Sequence, residues 1–171
     1  GLKELIWRYV DVAKPVELEV EIVTPPTSEA SSRYSEVYKD FTVVKMLAGM
    51  APWYTKGMPA HQVESVVLGV AAGSRVTSFD VASFLCMSEY QMCVEEVAAD
   101  GTVGATLIAW NKKYGTVSSR GTYSLTPSSY TPATIAVETT ATRFKVSVRH
   151  TISYKTAYAG LAIFRAKGVA P

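Results

Sequence analysis

The sequence predicts an all-β domain, an eight-stranded antiparallel jelly-roll β-sandwich with a short N-terminal helix and a short helical insertion. Three observations lead to this prediction. Short strand-like runs of apolar and polar residues recur along most of the chain. Glycine, proline and Asp-Gly turns separate these runs. The connections are uneven in length and a helical segment interrupts the early strands, which favours a jelly roll over an up-and-down barrel.

Length and charge limit the classes of function. The chain has 171 residues with no linker or internal repeat, so we expect one domain spanning residues 1–171. Its 17 basic and 15 acidic residues give a formal net charge of +2 without a long run of either sign. A basic nucleic-acid-binding arm is therefore not predicted. No stretch approaches the ~20 apolar residues of a membrane span.

The first predicted element is an amphipathic helix over residues 2–10, which Pro15 limits. Its apolar side chains have the i, i+3, i+4, i+7 spacing of one helix face. We expect this face to dock on a neighbouring subunit or on its own domain. The residues of the face are Leu2, Leu5, Ile6 and Tyr9.

The next predicted element is a strand over 17–22, in which three apolar residues alternate with three glutamates. That alternation is typical of a strand buried on one face. Residues 27–36 are rich in Ser, Thr and Glu and are predicted to form an exposed loop. A second strand begins at 41–44. The helical insertion or turn is predicted over 46–53, which contains Gly49 and Pro52.

Seven further strand-like runs follow, and the resulting count of eight or nine strands suits the eight strands of a jelly roll. The run from Arg143 is the clearest, because Phe144, Val146 and Val148 alternate with polar residues. We expect Ile152 and Tyr154 to continue the same apolar face. The seven runs cover 61–70, 76–85, 90–97, 103–110, 133–140, 143–154 and 158–166.

No catalytic or metal-binding motif is present in the sequence, so we expect a protein that is not an enzyme and has no cofactor or metal site. Cys86 and Cys93 are interpreted as small buried side chains in a reducing compartment. His61 is interpreted as a surface or interface side chain. His150 is interpreted as a satisfied buried or interface histidine, with a pH-sensitive contact as the alternative.

Two charged pairs have simple interpretations. Glu95 and Glu96 are adjacent on a predicted strand, so they should face opposite sides and form a solvated surface. Lys112 and Lys113 follow Trp110 in a predicted loop. This loop is interpreted as a solubilising tip, with stacking on RNA as the alternative.

Aromatic residues are plentiful, with ten tyrosines, and many of these lie in or beside predicted loops. Tyrosine is enriched at protein interfaces because its ring is apolar and its hydroxyl can still form hydrogen bonds. Assembly contacts are therefore the favoured interpretation, and a carbohydrate-binding platform is the alternative. The interface candidates are Leu2, Leu5, Ile6, Tyr9, Trp53, Tyr54, Tyr130 and Tyr158.

Three segments resemble, in chain order, segments of the capsid proteins of picorna-like viruses (Picornavirales). Residues 2–9 resemble a Leu-Arg-x-Leu-Leu-x-Arg segment near the start of one capsid subunit, with Lys3 in place of the usual arginine. Residues 46–57 are similar to the apolar turn after that family's second strand. Residues 159–171 are similar to its last strand and Gly-x-Pro finish, without the usual preceding Asp-Phe pair.

The resemblance implies a structural subunit of a non-enveloped icosahedral capsid, one of several related jelly-roll subunits that enclose single-stranded RNA. Its partners would be copies of itself and the related subunits, with weak contact to genomic RNA and a host receptor as further partners. Its location would be the virion, and the host cytoplasm during assembly. Gly1 would be a terminus left by polyprotein cleavage.

Two other functions remain as alternatives. The first is a carbohydrate- or ligand-binding β-sandwich module, which would require aromatic residues on one sheet face or loop rim. The second is a β-barrel enzyme, which would require a pocket that holds His61 or His150 beside a carboxylate.

Overall fold

The computed structural model describes residues 14–25, 53–111, 113–118, 129–154 and 156–171, with only the backbone for residues 53–57 and 158. Twelve strands lie in these ranges. They are β1 (Val16–Leu18), β2 (Glu21–Thr24), β3 (Trp53–Met58), β4 (Glu64–Gly69), β5 (Arg75–Ser83), β6 (Tyr90–Val97), β7 (Val103–Ile108), β8 (Thr116–Val117), β9 (Tyr130–Thr131), β10 (Ala133–Thr139), β11 (Arg143–His150) and β12 (Ala157–Val169).

The larger strands form two five-stranded sheets, and every pairing is antiparallel. The first sheet has the order β1-β12-β5-β10, and β3 also pairs with β12. The second sheet has the order β2-β4-β11-β6-β7. The prediction of an all-β fold with antiparallel sheets is therefore confirmed.

The hydrophobic core lies between the two sheets. Phe79 of β5 contacts Phe144 of β11 edge-to-face, with their ring centroids 5.2 Å apart. It also contacts Phe164 of β12 at 5.0 Å. All three rings are at most 2% exposed. Since β5 and β12 belong to one sheet and β11 to the other, this aromatic cluster joins the two layers of a β-sandwich.

A second apolar cluster covers part of the outer face of the first sheet. The short β8–β9 pair and the 3₁₀ turn Phe84–Cys86 pack there against Ala162 and Ile163 of β12. These two neighbouring residues join the same cluster because the pairing of β12 with β5 is shifted between Leu161 and Ile163. Such a bulge interrupts the strict alternation of faces along a strand.

The predicted strand over 17–22 is two strands. Val16–Leu18 pairs with β12 of the first sheet, and Glu21–Thr24 pairs with β4 of the second. Leu18 is buried in the core between the sheets, whereas Glu17, Glu19 and Glu21 are exposed. The alternation of apolar and acidic residues is therefore correct, and the continuity of the strand is wrong.

Several predicted boundaries also differ from the structure. The run 76–85 ends as a strand at Ser83 and continues as the 3₁₀ turn. The run 143–154 ends at His150, so Ile152 and Tyr154 lie in the following connection, where Tyr154 is 82% exposed. Residues 130–131, which lie outside every predicted run, form β9.

The helical predictions are not supported. The described residues contain no α-helix, and the 3₁₀ turn Phe84–Cys86 and the 3₁₀ residue Ser129 are their helical assignments. Residue 53, predicted as the end of the helical insertion, begins strand β3. The predicted helix over 2–10, the loop over 27–36, the strand over 41–44 and the rest of the insertion lie outside the described residues. Across the described ranges no helix is long and apolar enough to cross a membrane.

Candidate functional site

One end of the sandwich carries two neighbouring concave surfaces. Three turns meet there: 70–74 between β4 and β5, 98–102 between β6 and β7, and 140–142 between β10 and β11. The Val70 amide donates to the Thr142 carbonyl oxygen at 2.9 Å, which fixes the first turn beside the third. We call this region the turn end of the sandwich.

The Asp100-Gly101 turn forms as the sequence predicts. The Thr102 amide donates to Asp100 Oδ1, and the Ala98 amide donates to the Thr102 carbonyl, each at 2.9 Å. Gly101 has φ +88, in the left-handed region that glycine adopts without strain. The Thr102 bonds hold the pKa of Asp100 below its ordinary value, so this exposed turn carries a negative charge at neutral pH.

The larger surface, which we call the end cleft, is an open cavity of about 710 Å³ between the edges of β7 and β10. Its wall combines threonine hydroxyls with two carboxylates. The lining residues are Glu96, Val97, Ala98, Ala99, Thr102, Gly104, Glu138, Thr139, Thr140, Ala141 and Thr142.

Hydrogen bonds fix the polar groups of the end cleft. Thr139 Oγ1 donates to Glu96 Oε1 at 2.5 Å and accepts from the Ala141 amide at 2.9 Å. Arg75 Nη1 lies 2.5 Å from Glu138 Oε1. Because both carboxylates are held by neighbouring strands, the cleft presents oriented hydrogen-bonding groups rather than free side chains.

The smaller surface, which we call the acidic groove, has a volume of about 350 Å³. It runs beside the crossing from β1 to β2 and the turn before β5. Its wall contains three carboxylates and neither lysine nor arginine. The lining residues are Glu17, Leu18, Glu19, Glu21, Gly69, Ala71, Ser74, Ala170 and Pro171.

A separate cluster lies on the outer face of the second sheet. The Arg149 guanidinium carbon is 4.2 Å from the centre of the Trp110 ring, a cation–π contact. Arg149 Nε also donates to Gln91 Oε1 at 2.8 Å. Trp110, which follows the end of β7, therefore stacks on an arginine of β11. Lys113 is exposed, and Lys112 lies outside the described residues.

The interface candidates fall into three groups. The helix residues Leu2, Leu5, Ile6 and Tyr9 lie outside the described residues. Trp53 and Tyr54 lie in β3 and Tyr158 lies in β12, with only their backbones described. Tyr130 is 6% exposed, and its hydroxyl accepts a hydrogen bond from the Leu85 amide at 3.2 Å. Its side chain is therefore part of the domain interior.

His150 is fully buried and bridges two backbone segments. Its Nε2 lies 2.5 Å from the Met58 carbonyl oxygen, and its Nδ1 accepts from the Ile152 amide at 3.2 Å. These bonds assign the proton of the neutral ring to Nε2. The interpretation of His150 as a satisfied buried histidine agrees with this geometry. His61 is exposed, and its amide donates to the His150 carbonyl oxygen at 2.9 Å.

The two cysteines are buried and free, on the 3₁₀ turn and on β6. Burial, together with the nearby Glu95 charge, raises the pKa of the Cys93 thiol, so Cys93 is protonated and unreactive at neutral pH. Glu95 is paired in register with Lys145, whereas Glu96 bonds to Thr139 in the end cleft. In the described part of the chain no group of three or more His, Cys, Asp or Glu could hold a metal ion.

Comparison with known proteins shows the fold. No family model matches the sequence, and no curated protein is similar to it. A pectin-binding carbohydrate-binding module is similar in structure with a TM-score of 0.54 and 10% identity, over 86% of this chain and 91% of that one. Chitosan-binding module 1 of a Paenibacillus sp. IK-5 chitosanase/glucanase has a TM-score of 0.51 and 11% identity, over 85% and 95%.

A third similar structure has a different role. Reduced XRCC1, in a complex with the catalytic domain of DNA polymerase β, has a TM-score of 0.52 and 17% identity, over 88% of this chain and 97% of that one. At these identities the likeness establishes a shared β-sandwich fold and no shared activity.

Proposed function

We propose that this chain is a saccharide-binding β-sandwich module. The observation that carries this proposal is the end cleft, an open cavity lined by four threonines and two oriented carboxylates. Ligand sites are typically concave and hold a few polar groups in fixed positions. Hydroxyl groups donate and accept hydrogen bonds, and carboxylates accept them. This set matches the many hydroxyl groups of a sugar.

The comparisons support the proposal at the level of fold, since two of the similar structures are described as pectin-binding and chitosan-binding modules. The shape of the cleft agrees with a chain-like ligand, because it is open along the edges of β7 and β10. In the described residues β7 pairs only with β6, and β10 only with β5. Neither strand edge is covered by another described strand, so the proposed polysaccharide passes across the turn end of the sandwich.

A glycan array followed by calorimetric titration of the best oligosaccharide tests this proposal. The double variant Thr140→Ala/Thr142→Ala removes two cleft hydroxyls, and we expect at least tenfold weaker binding. Thr116→Ala removes an exposed hydroxyl from β8, outside the cleft, and should leave the affinity unchanged. Absence of binding to every glycan on the array would overturn the proposal.

A second candidate function is that of a capsid subunit, which the strand order supports together with the resemblance of three sequence segments. Strands β3, β12, β5 and β10 face β4, β11, β6 and β7, an order in which two Greek keys are nested as in a jelly roll. We propose that these eight strands form a jelly-roll core, to which β1, β2, β8 and β9 are additions. Jelly rolls occur in viral capsids and in lectins.

Assembly tests the second candidate. The chain would be expressed together with the adjacent coding segments of its natural source and analysed by sedimentation velocity. A fast-sedimenting shell that protects RNA from nuclease would support a capsid subunit in a virion, with related subunits as partners. A monomer of about 18.5 kDa in the presence of those partners would reject it, and would leave saccharide binding as the proposed function.

A further inference from the structure

Glu96 lies at a position of β6 that faces the interior of the sandwich. In the pairing of β6 with β11 it stands opposite Phe144, a core residue that is 1% exposed. Val94, two residues earlier on the same face of β6, is fully buried. Glu96 itself is half-buried, at the end of the strand where the two sheets open into the end cleft. A carboxylate in such a position has lost part of its hydration and needs other partners.

The protein occupies one of the two oxygens of this carboxylate. Thr139 Oγ1, on the other sheet, donates to Glu96 Oε1 at 2.5 Å. Among the described residues no donor and no cation contacts Glu96 Oε2. A Cβ at Gly104 would lie 3.6 Å from Oε2, with other atoms of Glu96 as its next neighbours. Because glycine has no side chain, the space beside Oε2 is open on the side of β7.

The lining of the end cleft contains one carboxylate that no described cation balances. Glu138 is paired with Arg75 at 2.5 Å, whereas no ion pair of the described chain includes Glu96. Neither lysine nor arginine is among the lining residues. Arg143 Nη1 donates to the Ala99 carbonyl oxygen at 3.2 Å but is not part of the lining. A ligand in the cleft therefore meets a negative charge among neutral hydroxyl groups.

We infer that Glu96 determines the specificity of the end cleft and makes it bind uncharged rather than acidic saccharides. This inference rests on the proposed function. Glu96 Oε2 accepts hydrogen bonds from sugar hydroxyl groups, and a charged acceptor forms stronger hydrogen bonds than a neutral one. The same charge repels the carboxylate of a uronic acid, because like charges brought together in one site weaken binding. Thr139 holds the carboxylate in place from the opposite sheet.

The test begins with a glycan array and continues with calorimetric titration of two probes at pH 7 and low salt. The first probe is the best-bound oligosaccharide without acidic groups, and the second is the same oligosaccharide oxidised at C6 to uronic acids. The two probes have equal length and linkages and differ in charge. We expect the native chain to bind the uncharged probe at least tenfold more tightly. This preference should shrink in 0.3 M NaCl, because salt screens exposed charges.

Glu96→Gln removes the charge and keeps an oxygen that accepts the hydrogen bond from Thr139, so we expect an unchanged melting temperature. The variant should bind the uncharged probe about fivefold more weakly and the oxidised probe at least tenfold more tightly. A purely structural role would weaken both. Glu95→Gln is the matched control, because it removes the same charge from the next residue of β6, which faces the other side of the sheet and pairs in register with Lys145. It should leave both affinities unchanged.

Gly104→Ala tests the access to Glu96 Oε2. The added Cβ would lie at ordinary contact distance from its neighbours, so the fold should accommodate it without a lower melting temperature. It would occupy the space beside the free oxygen, and we expect at least threefold weaker binding of the uncharged probe. In the double variant Glu96→Gln/Gly104→Ala the two losses should not multiply, because both act on the same oxygen.

The outcomes separate this inference from the proposed function. An acidic saccharide as the best-bound glycan, or equal affinity of the native chain for the two probes, would overturn the role of Glu96 and retain saccharide binding. Glu96→Gln that leaves both affinities unchanged, or lowers both, would overturn it as well. Absence of binding to every glycan on the array would overturn both proposals.

Discussion

Asp80 is a buried carboxylate on the face of β5 opposite the core. Lys167 Nζ lies 2.8 Å from its Oδ2, and Thr134 Oγ1 donates to its Oδ1 at 2.7 Å. Burial alone would raise the pKa of Asp80, but the bonds from Lys167 and Thr134 and the charges of Lys167 and Arg165 outweigh it and hold the pKa below its ordinary value. The carboxylate therefore stabilises the fold in its charged form.

This arrangement predicts a pH-dependent effect of Asp80→Asn. Because the folded pKa is depressed, the stabilisation is present above the unfolded pKa of about 4 and is lost as the pH falls through the folded value. We expect the variant to be less stable at pH 7 by about 1–3 kcal/mol. The difference from the native chain should shrink below pH 4. Urea unfolding of both chains at pH 7 and pH 3 measures this difference in stability. A difference of equal size at the two pH values would contradict the conclusion that charged Asp80 stabilises the fold.

Gly168 occupies a position that only glycine fits. The pairing of β12 with β5 shifts between Lys167 and Gly168, and a Cβ at Gly168 would overlap the carbonyl oxygen of Arg75. Gly168→Ala should therefore separate β12 from the start of β5 and lower stability by several kcal/mol. Gly101→Ala is the contrasting variant, because open space surrounds that position and only its left-handed backbone would be strained. Thermal unfolding of both variants measures how much each substitution lowers the stability, and we expect the larger loss for Gly168→Ala.

The alternation of apolar and polar residues predicted which side chains are buried only where the strand is regular. Phe144, Val146 and Val148 face the core as their alternation predicts. Tyr154 continues the same parity but is 82% exposed, because β11 ends at His150 and the parity has no meaning beyond a strand end. Ala162 and Ile163 share one face for the opposite reason, since a bulge interrupts the strand.

At the scale of elements, the 3₁₀ turn after β5 is strained. Leu85 and Cys86 have φ of 55 and 46, in a region that residues other than glycine rarely adopt. The turn is held by the hydrogen bond from the Leu85 amide to the Tyr130 hydroxyl and by packing in the second apolar cluster. Strained backbone persists only where its surroundings determine it.

Tyr130→Phe tests this support because it removes the acceptor of a buried amide and keeps the ring. We expect a loss of about 1–3 kcal/mol and faster hydrogen exchange at Leu85 and Cys86, with β11 unaffected. Thr116→Val, which removes an exposed hydroxyl from β8 and keeps the shape of the side chain, is the control and should change stability by less than about 0.5 kcal/mol. Equal stability of Tyr130→Phe and the native chain would show that packing alone holds the turn.

The division of β1 from β2 was not accessible from the sequence. The alternation over residues 17–22 identifies one buried and one exposed face, and the structure confirms both. The alternation contains no information on which sheet each half joins, because both halves direct an apolar side chain into the same core. The acidic groove exists because of that crossing between sheets, so it could not be predicted either.

At the scale of the whole molecule, the two sheets depend on one aromatic cluster. Phe79 contacts Phe164 within its own sheet and Phe144 across the core. Phe79→Ala should cost about 3–5 kcal/mol, a large part of the 5–15 kcal/mol by which domains are normally stable. Denaturant unfolding followed by fluorescence and circular dichroism should show one shifted cooperative transition. Separate transitions for the two probes would show that the sheets unfold independently.

The end cleft could not be predicted from sequence patterns, because it joins residues that are far apart in the chain. The end cleft combines residues 96–104 with 138–142, and hydrogen bonds such as Thr139 to Glu96 join positions 43 residues apart. The run Thr139-Thr140-Ala141-Thr142 was the available signal, but it resembles any polar turn. The fold class follows from local alternation, whereas a cleft between strand edges follows from topology.

Strand β12 has a consequence for biosynthesis. It follows all other described strands in the chain, yet it borders β1, β3 and β5 in the first sheet. On the ribosome those three strands emerge before the partner that joins them, so their edges stay open until translation reaches residue 169. Open strand edges favour aggregation. A nascent chain arrested before β12 should therefore bind chaperones, and release of the last strand should trigger folding of the whole domain in one step.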